Sequence, residues 1–205
     1  MKFAFVIMML MVSLFSVGCV EKYDTLVNKD EICNMKWSDY EAQLQRRSDM
    51  IPQLVETVRG SAAYESQTLK EVMEARAGAT QIKLTADDLT DPEKMKKFNE
   101  AQNQLKGSLS RLMMVQEQYP DLKSNKAFHD LQIQIEGTEN RILRSRQEYN
   151  TAVQAYNLEL RRVSGKAINP LTGGEFKPRV YFQADESAKT APKINFATTP
   201  PAVSK

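Results

Sequence analysis

The sequence contains few of the side chains that enzymes use for metal binding and acid–base chemistry, with one histidine and two cysteines among 205 residues. His129 has no second histidine with which to bind a metal and no serine or cysteine partner that spacing identifies, so we expect a surface or partly packed side chain. The motifs His-Glu-x-x-His, Ser-x-x-Lys and Gly-x-Ser-x-Gly and a glycine-rich phosphate loop are also missing. We therefore predict no catalytic residue, no metal site and no cofactor, and a protein that is not an enzyme.

The charge balance argues against nucleic-acid binding. Lysine and arginine number 28 and aspartate and glutamate 26, which leaves a formal net charge of +2. Both signs are interspersed along the chain, as on a solvated helical surface. No electrostatic case for nucleic-acid binding follows from this balance.

The N-terminus carries the strongest targeting signal. Lys2 precedes an uncharged apolar run over residues 3–17, which ends at Gly18 and Cys19. This order is typical of a bacterial lipoprotein signal, in which cleavage after residue 18 leaves Cys19 as the acylated first residue. An uncleaved transmembrane helix is the alternative, because residues 3–20 just reach the length needed to span a bilayer. Both interpretations predict a membrane-tethered protein of the bacterial cell envelope that faces outside the cytoplasm, and neither decides between the inner and outer membranes.

If Cys19 is acylated, Cys33 is the one thiol left. We expect it to be buried on a helix face. A bond between two chains through Cys33, or a Cys19–Cys33 disulfide if Cys19 is not acylated, stays open as an alternative.

Hydrophobic periodicity predicts helices and little else. The first helix carries one seam with steps of three, four or seven residues, comprising Leu26, Cys33, Trp37, Tyr40, Leu44, Ile51, Leu54 and Val58. Pro52 is expected to kink this helix near residues 48–52 rather than end it, because the spacing resumes in register afterwards. Gly60 marks a break before a second helix that carries Leu69, Val72, Met73, Arg76 and Ile82.

The third and fourth helices have clearer start signals. Asp91 and Pro92 form an N-cap and a first-turn proline. The third helix is expected to run past Tyr119 and to end at Pro120. Ser124 is the predicted cap of a fourth helix of about 40 residues, or roughly 60 Å, that keeps its apolar phase through Val163 and ends at Gly165. Its predicted stripe comprises Phe128, Leu131, Ile135, Thr138, Ile142, Ser145, Tyr149, Ala152, Tyr156 and Val163.

These patterns predict an all-α fold, an elongated antiparallel bundle of three to four long helices with an irregular C-terminal tail. We divide the chain into a signal peptide (1–18), a membrane-proximal tether (19–25), the bundle (26–164), an extended C-terminal segment (165–196) and a disordered tail (197–205). In the extended segment, residues 169–174 are expected to form a turn, and Tyr181 and Phe182 are expected to pack on the bundle surface.

Several short motifs of the sequence resemble those of the LemA family. They are QRRSDMIPQLVETVRG at residues 45–60, EARA at 74–77, YPDLK at 119–123, EGTENRI at 136–142, YN at 149–150 and 156–157, FKPR at 176–179 and YF at 181–182. The resemblance covers residues 26–196 and implies a membrane-anchored, all-helical, extracytoplasmic protein with no established reaction. The Gly18-Cys19 pair departs from the transmembrane anchor that is common in the family, and Val180 stands where the family usually has proline.

Polar residues within these motifs suggest a functional interpretation. We predict a buried ion-pair and amide network that sets the helix register, with ligand binding as the alternative. Its candidate members are Arg47, Glu56, Glu74, Arg76, Glu136 and Asn140. Arg141, Arg144 and Arg146 alternate with acidic residues and are expected to form a solvated face, with phosphate or lipid-headgroup binding as the minor alternative.

Three classes of function remain. The first is a tethered, non-catalytic scaffold or adaptor that engages another envelope protein. The second is a binding module for an envelope polymer or a lipid headgroup. The third, an envelope enzyme, is disfavoured by the missing motifs.

Overall fold

The computed structural model describes residues 2–60, 66–115, 122 and 124–183, and it describes their side chains from Glu21 onward except at Ser66, Val115 and Ile168. Every regular element in these residues is helical, which confirms the predicted all-α fold class.

The first helix, α1 (Lys2–Arg59), is much longer than the periodicity predicted. It begins before Leu26 and continues without interruption through residues 19–25, the expected tether. It also continues through Pro52, as predicted, and ends at Gly60. Its 58 residues correspond to a rod of about 87 Å. Among the residues whose side chains are described, no helix has both the length and the hydrophobicity needed to span a membrane.

Between residues 66 and 115, all of them described, the chain forms two helices and one 3₁₀ turn. These are α2 (Ser66–Gln81), the 3₁₀ turn (Asp88–Thr90) and α3 (Pro92–Val115). The predicted N-cap of α3 is confirmed, since the Asp91 side chain accepts hydrogen bonds from the backbone N–H groups of Glu93 (2.9 Å) and Lys94 (3.3 Å). The predicted end of this helix at Tyr119 and Pro120 lies outside the described residues.

The second half of the chain forms α4 (Lys126–Arg161) and a short helix, α5 (Val163–Leu171). The N-cap of α4 is Asn125 and not Ser124 as predicted, because the Asn125 side chain is the one that accepts from the Phe128 N–H (3.2 Å). The prediction that one helix keeps its phase to Gly165 is wrong. Arg162 adopts an extended conformation (ψ 158°) that separates α4 from α5 and turns Val163 outward, away from the predicted stripe.

The last described residues form a non-helical strap, which we define as residues 175–183. It follows a turn in which Gly173 and Gly174 have φ values of 86° and 73°, a conformation that glycine adopts without steric cost. Residues 165–171, the start of the predicted extended segment, belong to α5 instead, so the turn expected over residues 169–174 is limited to 172–174. The predicted disordered tail at 197–205 lies outside the described residues.

The helices bury two separate apolar cores. The proximal core, nearer to the start of α1, contains Leu26, Cys33, Trp37, Tyr40, Leu89, Met95, Phe98, Ile142, Tyr149, Ala152, Val153, Tyr156, Leu160, Phe176 and Phe182. The distal core contains Met50, Ile51, Leu54, Val55, Val58, Leu69, Val72, Ala75, Ala79, Leu105, Leu109, Leu112, Leu122, Phe128, Leu131 and Ile135. Of the seam predicted for α1, every member is buried except Leu44, which is partly buried.

Candidate functional site

A layer of polar side chains separates the two cores. Arg47, on the seam of α1, is only 2% exposed and is the largest fully buried side chain described. Its Nη1 donates to Glu139 on α4 (2.8 Å), and its Nη2 donates to Gln102 on α3. The Gln102 amide in turn donates to the Ala79 carbonyl oxygen on α2 (3.0 Å). One arginine and one glutamine thus connect all four long helices at one level.

A second polar contact compensates for the proline in α1. Because Pro52 has no N–H, the carbonyl of Ser48, four residues earlier, cannot receive its usual helical hydrogen bond. The Arg76 Nε, on α2, donates to that Ser48 oxygen at 2.9 Å. Arg76 therefore supplies the donor that Pro52 lacks and joins α2 to α1.

The structure does not bring the six predicted network residues together. Arg47 donates to residues of α3 and α4, and Arg76 donates to α1, while the remaining four lie on exposed helix surfaces. Glu56 accepts from Arg59 (3.1 Å), Glu74 lies 3.9 Å from Lys70, and Glu136 accepts from Gln132 (3.1 Å). Asn140 is also exposed. The residues that contact Arg47, namely Gln102 and Glu139, were absent from the predicted set.

The strap is held by three asparagine side chains, each of which donates to and accepts from the backbone of one strap residue. Asn169, on α5, binds the Phe176 N–H and C=O at 3.1 and 2.8 Å. Asn157 binds those of Arg179 at 2.9 and 2.8 Å, and Asn150 binds those of Phe182 at 2.9 and 3.1 Å. Each amide thereby replaces the partner strand that an extended segment would otherwise need.

The spacing of these contacts has a simple geometric basis. The clasped strap residues recur every third position, and the asparagines on α4 are seven residues apart. Three residues of extended chain with a threefold repeat advance about 9–10 Å, and seven residues of helix advance about 10.5 Å. The spacing of the asparagines in the two Tyr-Asn motifs, at 149–150 and 156–157, thus matches the spacing of the residues that they bind in the FKPR and YF motifs of the strap. Pro178 lies between two clasped residues, where no backbone donor is required.

Arg179 fixes the strap to α1 as well as to α4. Its side chain is 4% exposed; its Nε donates to Asp30 (2.9 Å) and its Nη2 to Asn34 (2.7 Å). The guanidinium also lies over the Tyr156 ring, 5.8 Å from its centroid. The Tyr156 hydroxyl donates to the Lys177 carbonyl (3.0 Å), which adds a further contact along the same stretch.

Phe182 inserts into an aromatic cluster in the proximal core. Its ring stacks on Trp37 (5.9 Å between centroids) and lies 4.9 Å from Tyr40 and 5.4 Å from Tyr149. The expectation that Phe182 packs on the bundle is confirmed, whereas Tyr181 is 38% exposed. Burial raises the pKa of Tyr40 to about 12 and also raises the pKa values of Tyr149 and Tyr156.

Two reactive side chains were singled out in the sequence, Cys33 and His129, and both lie where they were expected. Cys33 is a free, fully buried thiol on the core face of α1, as predicted, and burial raises its pKa to about 11. His129 is exposed on α4, which also agrees with expectation. The Cys19 side chain lies outside the described ones.

The arginine cluster on α4 does not form one face. Arg146 lies over the Phe182 ring (5.0 Å) and donates to the Gln183 carbonyl, so that it belongs to the strap contacts. Arg144 is exposed beside Glu148 (3.7 Å), and Arg141 is exposed near Gly137. The charges needed for a common headgroup site thus point in different directions.

The cavities next to these clusters are small and open. One of about 280 Å³ lies beside the polar layer and is lined by Glu41, Gln45, Ser48, Thr80, Lys83, Gln102 and five apolar residues. Another of about 270 Å³ lies beside the strap and is lined by Asp30, Asp87, Glu175, Lys177, Arg179 and others. In the part of the chain that the structure describes, no three His, Cys, Asp or Glu side chains converge as metal ligands would.

Comparison with known proteins identifies the family. The family model described as LemA family matches residues 36–196. The chain belongs to the LemA family. Two relatives from Paramagnetospirillum magneticum (strain ATCC 700264 / AMB-1), magnetosome proteins MamQ 1 and MamQ 2, are each 28% identical to it over 201 residues, covering 90% of this chain and 73% of each relative. The polar layer, the Pro52–Arg76 contact and the strap all lie within the matched residues.

Sequence reasoning missed the strap contacts although their signal was present. The Tyr-Asn pair occurs twice with a seven-residue spacing, which places both asparagines on one face of a helix. The spacing of three between Phe176, Arg179 and Phe182 was equally visible. Neither pattern alone shows that the asparagines of the Tyr-Asn repeat bind the backbone of the strap residues.

Proposed function

We propose that this LemA-family protein is a membrane-anchored, non-catalytic scaffold that holds a rigid helical surface outside the cytoplasm and engages another protein of the cell envelope. The observation that carries the proposal is the continuity of α1. From residues 19–20, where either anchor would end, α1 runs without a break into the segment that contributes to both cores. An anchor attached in this way would position the whole folded domain and not merely tether it.

The contacts of the buried and partly buried polar groups support a structural role for the sequence motifs in which most of them lie. Hydrogen bonds of 2.7–3.1 Å to other helices or to the strap are donated by Arg47 (to Glu139), Arg76, Arg179 and the three clasping asparagines. Their hydrogen-bonding capacity is directed at internal contacts, which suits a rigid scaffold better than an active site.

We also propose that the helices form the predicted elongated antiparallel bundle. In support, Lys36 pairs with Glu148 (2.8 Å) whereas Arg47, further along α1, pairs with the earlier Glu139. A lipid anchor on Cys19 remains part of this proposal, with an uncleaved membrane helix as its alternative.

Site-specific photo-cross-linking in intact cells tests the scaffold proposal. A photoreactive residue at Met35 or Leu143, both apolar and about half exposed, should give a recurrent, near-stoichiometric product with one envelope protein. The same residue at buried Val153 is the matched control and should give no intermolecular product. Recovery of the protein alone from both exposed positions, with a control complex cross-linked in the same cells, would contradict the proposal.

A further inference from the structure

The short helix α5 has its apolar face turned outward. Val163, Ala167, Pro170 and Leu171 follow the i, i+4, i+7, i+8 spacing that defines one side of a helix, and all four are exposed. Val163 is 87% exposed and Leu171 75%. On a helix that packs against a protein core and exposes its other face to water, these outward positions would be polar.

The opposite face of α5 shows why the helix cannot rotate to bury these residues. Gly165 lies so close to the end of α4 that a side chain there would collide with the carbonyl oxygens of Glu159 and Leu160. Asn169, on the same inward side, holds the Phe176 backbone through two hydrogen bonds. Among the described side chains of α5, Gly165 and Asn169 therefore lie on the packing side, and Val163, Ala167, Pro170 and Leu171 are left outside.

The contacts of α5 place it at the end of the molecule where the anchor begins. Phe176, which Asn169 holds, packs edge-to-face on Tyr23 of α1 with 5.7 Å between ring centroids. Tyr23 is four positions beyond Cys19, or about 6 Å along the helix axis. The exposed apolar face is thus close to the end of the N-terminal apolar run.

We propose that the outward face of α5 lies in the headgroup layer of the bilayer that holds the N-terminal anchor. This inference rests on the membrane anchoring proposed above and adds a second contact to it. Interfacial helices immerse an apolar face at the boundary between headgroups and acyl chains, and cationic residues beside that face attract anionic lipids. Arg161 and Lys166 are exposed next to the apolar face of α5. Asp24 and Glu175 are exposed at the same end, so the apolar contact is expected to provide more of the attraction than charge does.

Lipid quenching in vesicles tests this placement. The full chain is reconstituted into phosphatidylcholine–phosphatidylglycerol vesicles with and without shallow brominated phosphatidylcholine, which quenches tryptophan fluorescence on contact. Leu171→Trp and Val163→Trp are the test variants. Leu143→Trp is the matched control, because Leu143 is 53% exposed on α4 but lies between Glu139 and Glu148, at the level of Arg47 and Lys36. Buried Trp37 contributes the same background to all variants.

The expected result is that the emission added by Leu171→Trp and Val163→Trp loses most of its intensity with brominated lipid, while that added by Leu143→Trp is unchanged. Flotation of the same vesicles separates the two proposals. If the protein does not float with lipid, the proposed anchoring is wrong. If it floats but neither α5 variant is quenched, anchoring stands and the placement of α5 is overturned. A blue shift without quenching also overturns it, because a protein surface then covers this face.

Discussion

Individual side chains in this protein compensate for defects that other residues create. Pro52 deprives the Ser48 carbonyl of its helical donor, and the Arg76 Nε replaces that donor from a neighbouring helix. Arg47 would be an unpaired charge between two apolar cores if Glu139 and Gln102 did not accept from it. The contribution of each arginine to the free energy of unfolding can therefore be measured with single substitutions.

The link between Pro52 and Arg76 predicts a thermodynamic coupling. Arg76→Met keeps the aliphatic bulk but leaves the Ser48 carbonyl unpaired, and should reduce the free energy of unfolding by about 1–2 kcal/mol. In a Pro52→Ala background the alanine N–H can bind that carbonyl, so the same substitution should cost less. Urea unfolding of the four proteins in this double-mutant cycle measures the difference. An equal cost in both backgrounds would show that Arg76 does not act through this carbonyl.

Arg47 provides the second prediction at this scale. Arg47→Ala leaves Glu139 and Gln102 without their donor inside the polar layer and should reduce the free energy of unfolding by about 3 kcal/mol. Arg46→Ala, which removes the exposed neighbouring arginine, is the control and should have little effect. If the two variants unfold at the same urea concentration, the polar layer does not stabilise the fold.

At the scale of elements, the strap is attached through side-chain amides rather than through a sheet. Three asparagines on α4 and α5 bind three strap residues, and Arg179 extends the attachment to α1. An element held in this way depends on a few discrete contacts, so its opening can be controlled by single substitutions.

Asn157→Ala should release the strap. It leaves the buried N–H and C=O of Arg179 unpaired, which costs about 2 kcal/mol or more and should increase local opening more than about tenfold. Trypsin cleavage after Arg179, followed by mass spectrometry of the peptides, measures this opening. Asn140→Ala, on the exposed side of the same helix, should leave the cleavage rate unchanged. Equal rates in both variants would contradict a clasping role for Asn157.

At the scale of the whole molecule, the described residues form two apolar cores with a polar layer between them. The proximal core contains several groups that burial keeps protonated. Burial raises the pKa of Cys33 from 9.0 to about 11 and that of Tyr40 from 10.0 to about 12, and the pKa values of Tyr149 and Tyr156 also rise. In the unfolded chain these groups lose their protons at lower pH than in the folded protein.

This difference predicts a loss of stability in alkali. Between pH 9 and 11 the unfolded state binds fewer protons than the folded state, so the free energy of unfolding should fall by up to about 1.4 kcal/mol per pH unit for each affected group. The urea midpoint, measured across this range, should decrease steadily. Tyr149→Phe removes one of the groups and should make the decrease shallower. A constant midpoint would contradict the predicted linkage.

Local and periodic features were predictable from the sequence because they depend on neighbouring residues. The all-α class, the seam of α1, the Asp91 cap and the continuation through Pro52 follow from helical spacing and capping chemistry. The start of α1 and the end of α4 were misjudged, since apolar periodicity shows which residues face a core but not whether the backbone is helical on either side. Val163 kept the phase of the α4 stripe and yet lies outside the core, because a single extended residue redirects the chain.

The sequence by itself thus determined the helical class, the core seam of α1 and the family. Only the tertiary structure decided which polar residues meet. Gln102 and Glu139 reach Arg47, and Arg76 reaches the carbonyl that Pro52 leaves free, from helices that are distant along the chain. The same holds for the pairing of the Tyr-Asn repeat with the strap and for the outward turn of α5. Each of these depends on how separate elements pack, and periodicity within one element carries no information about its neighbour.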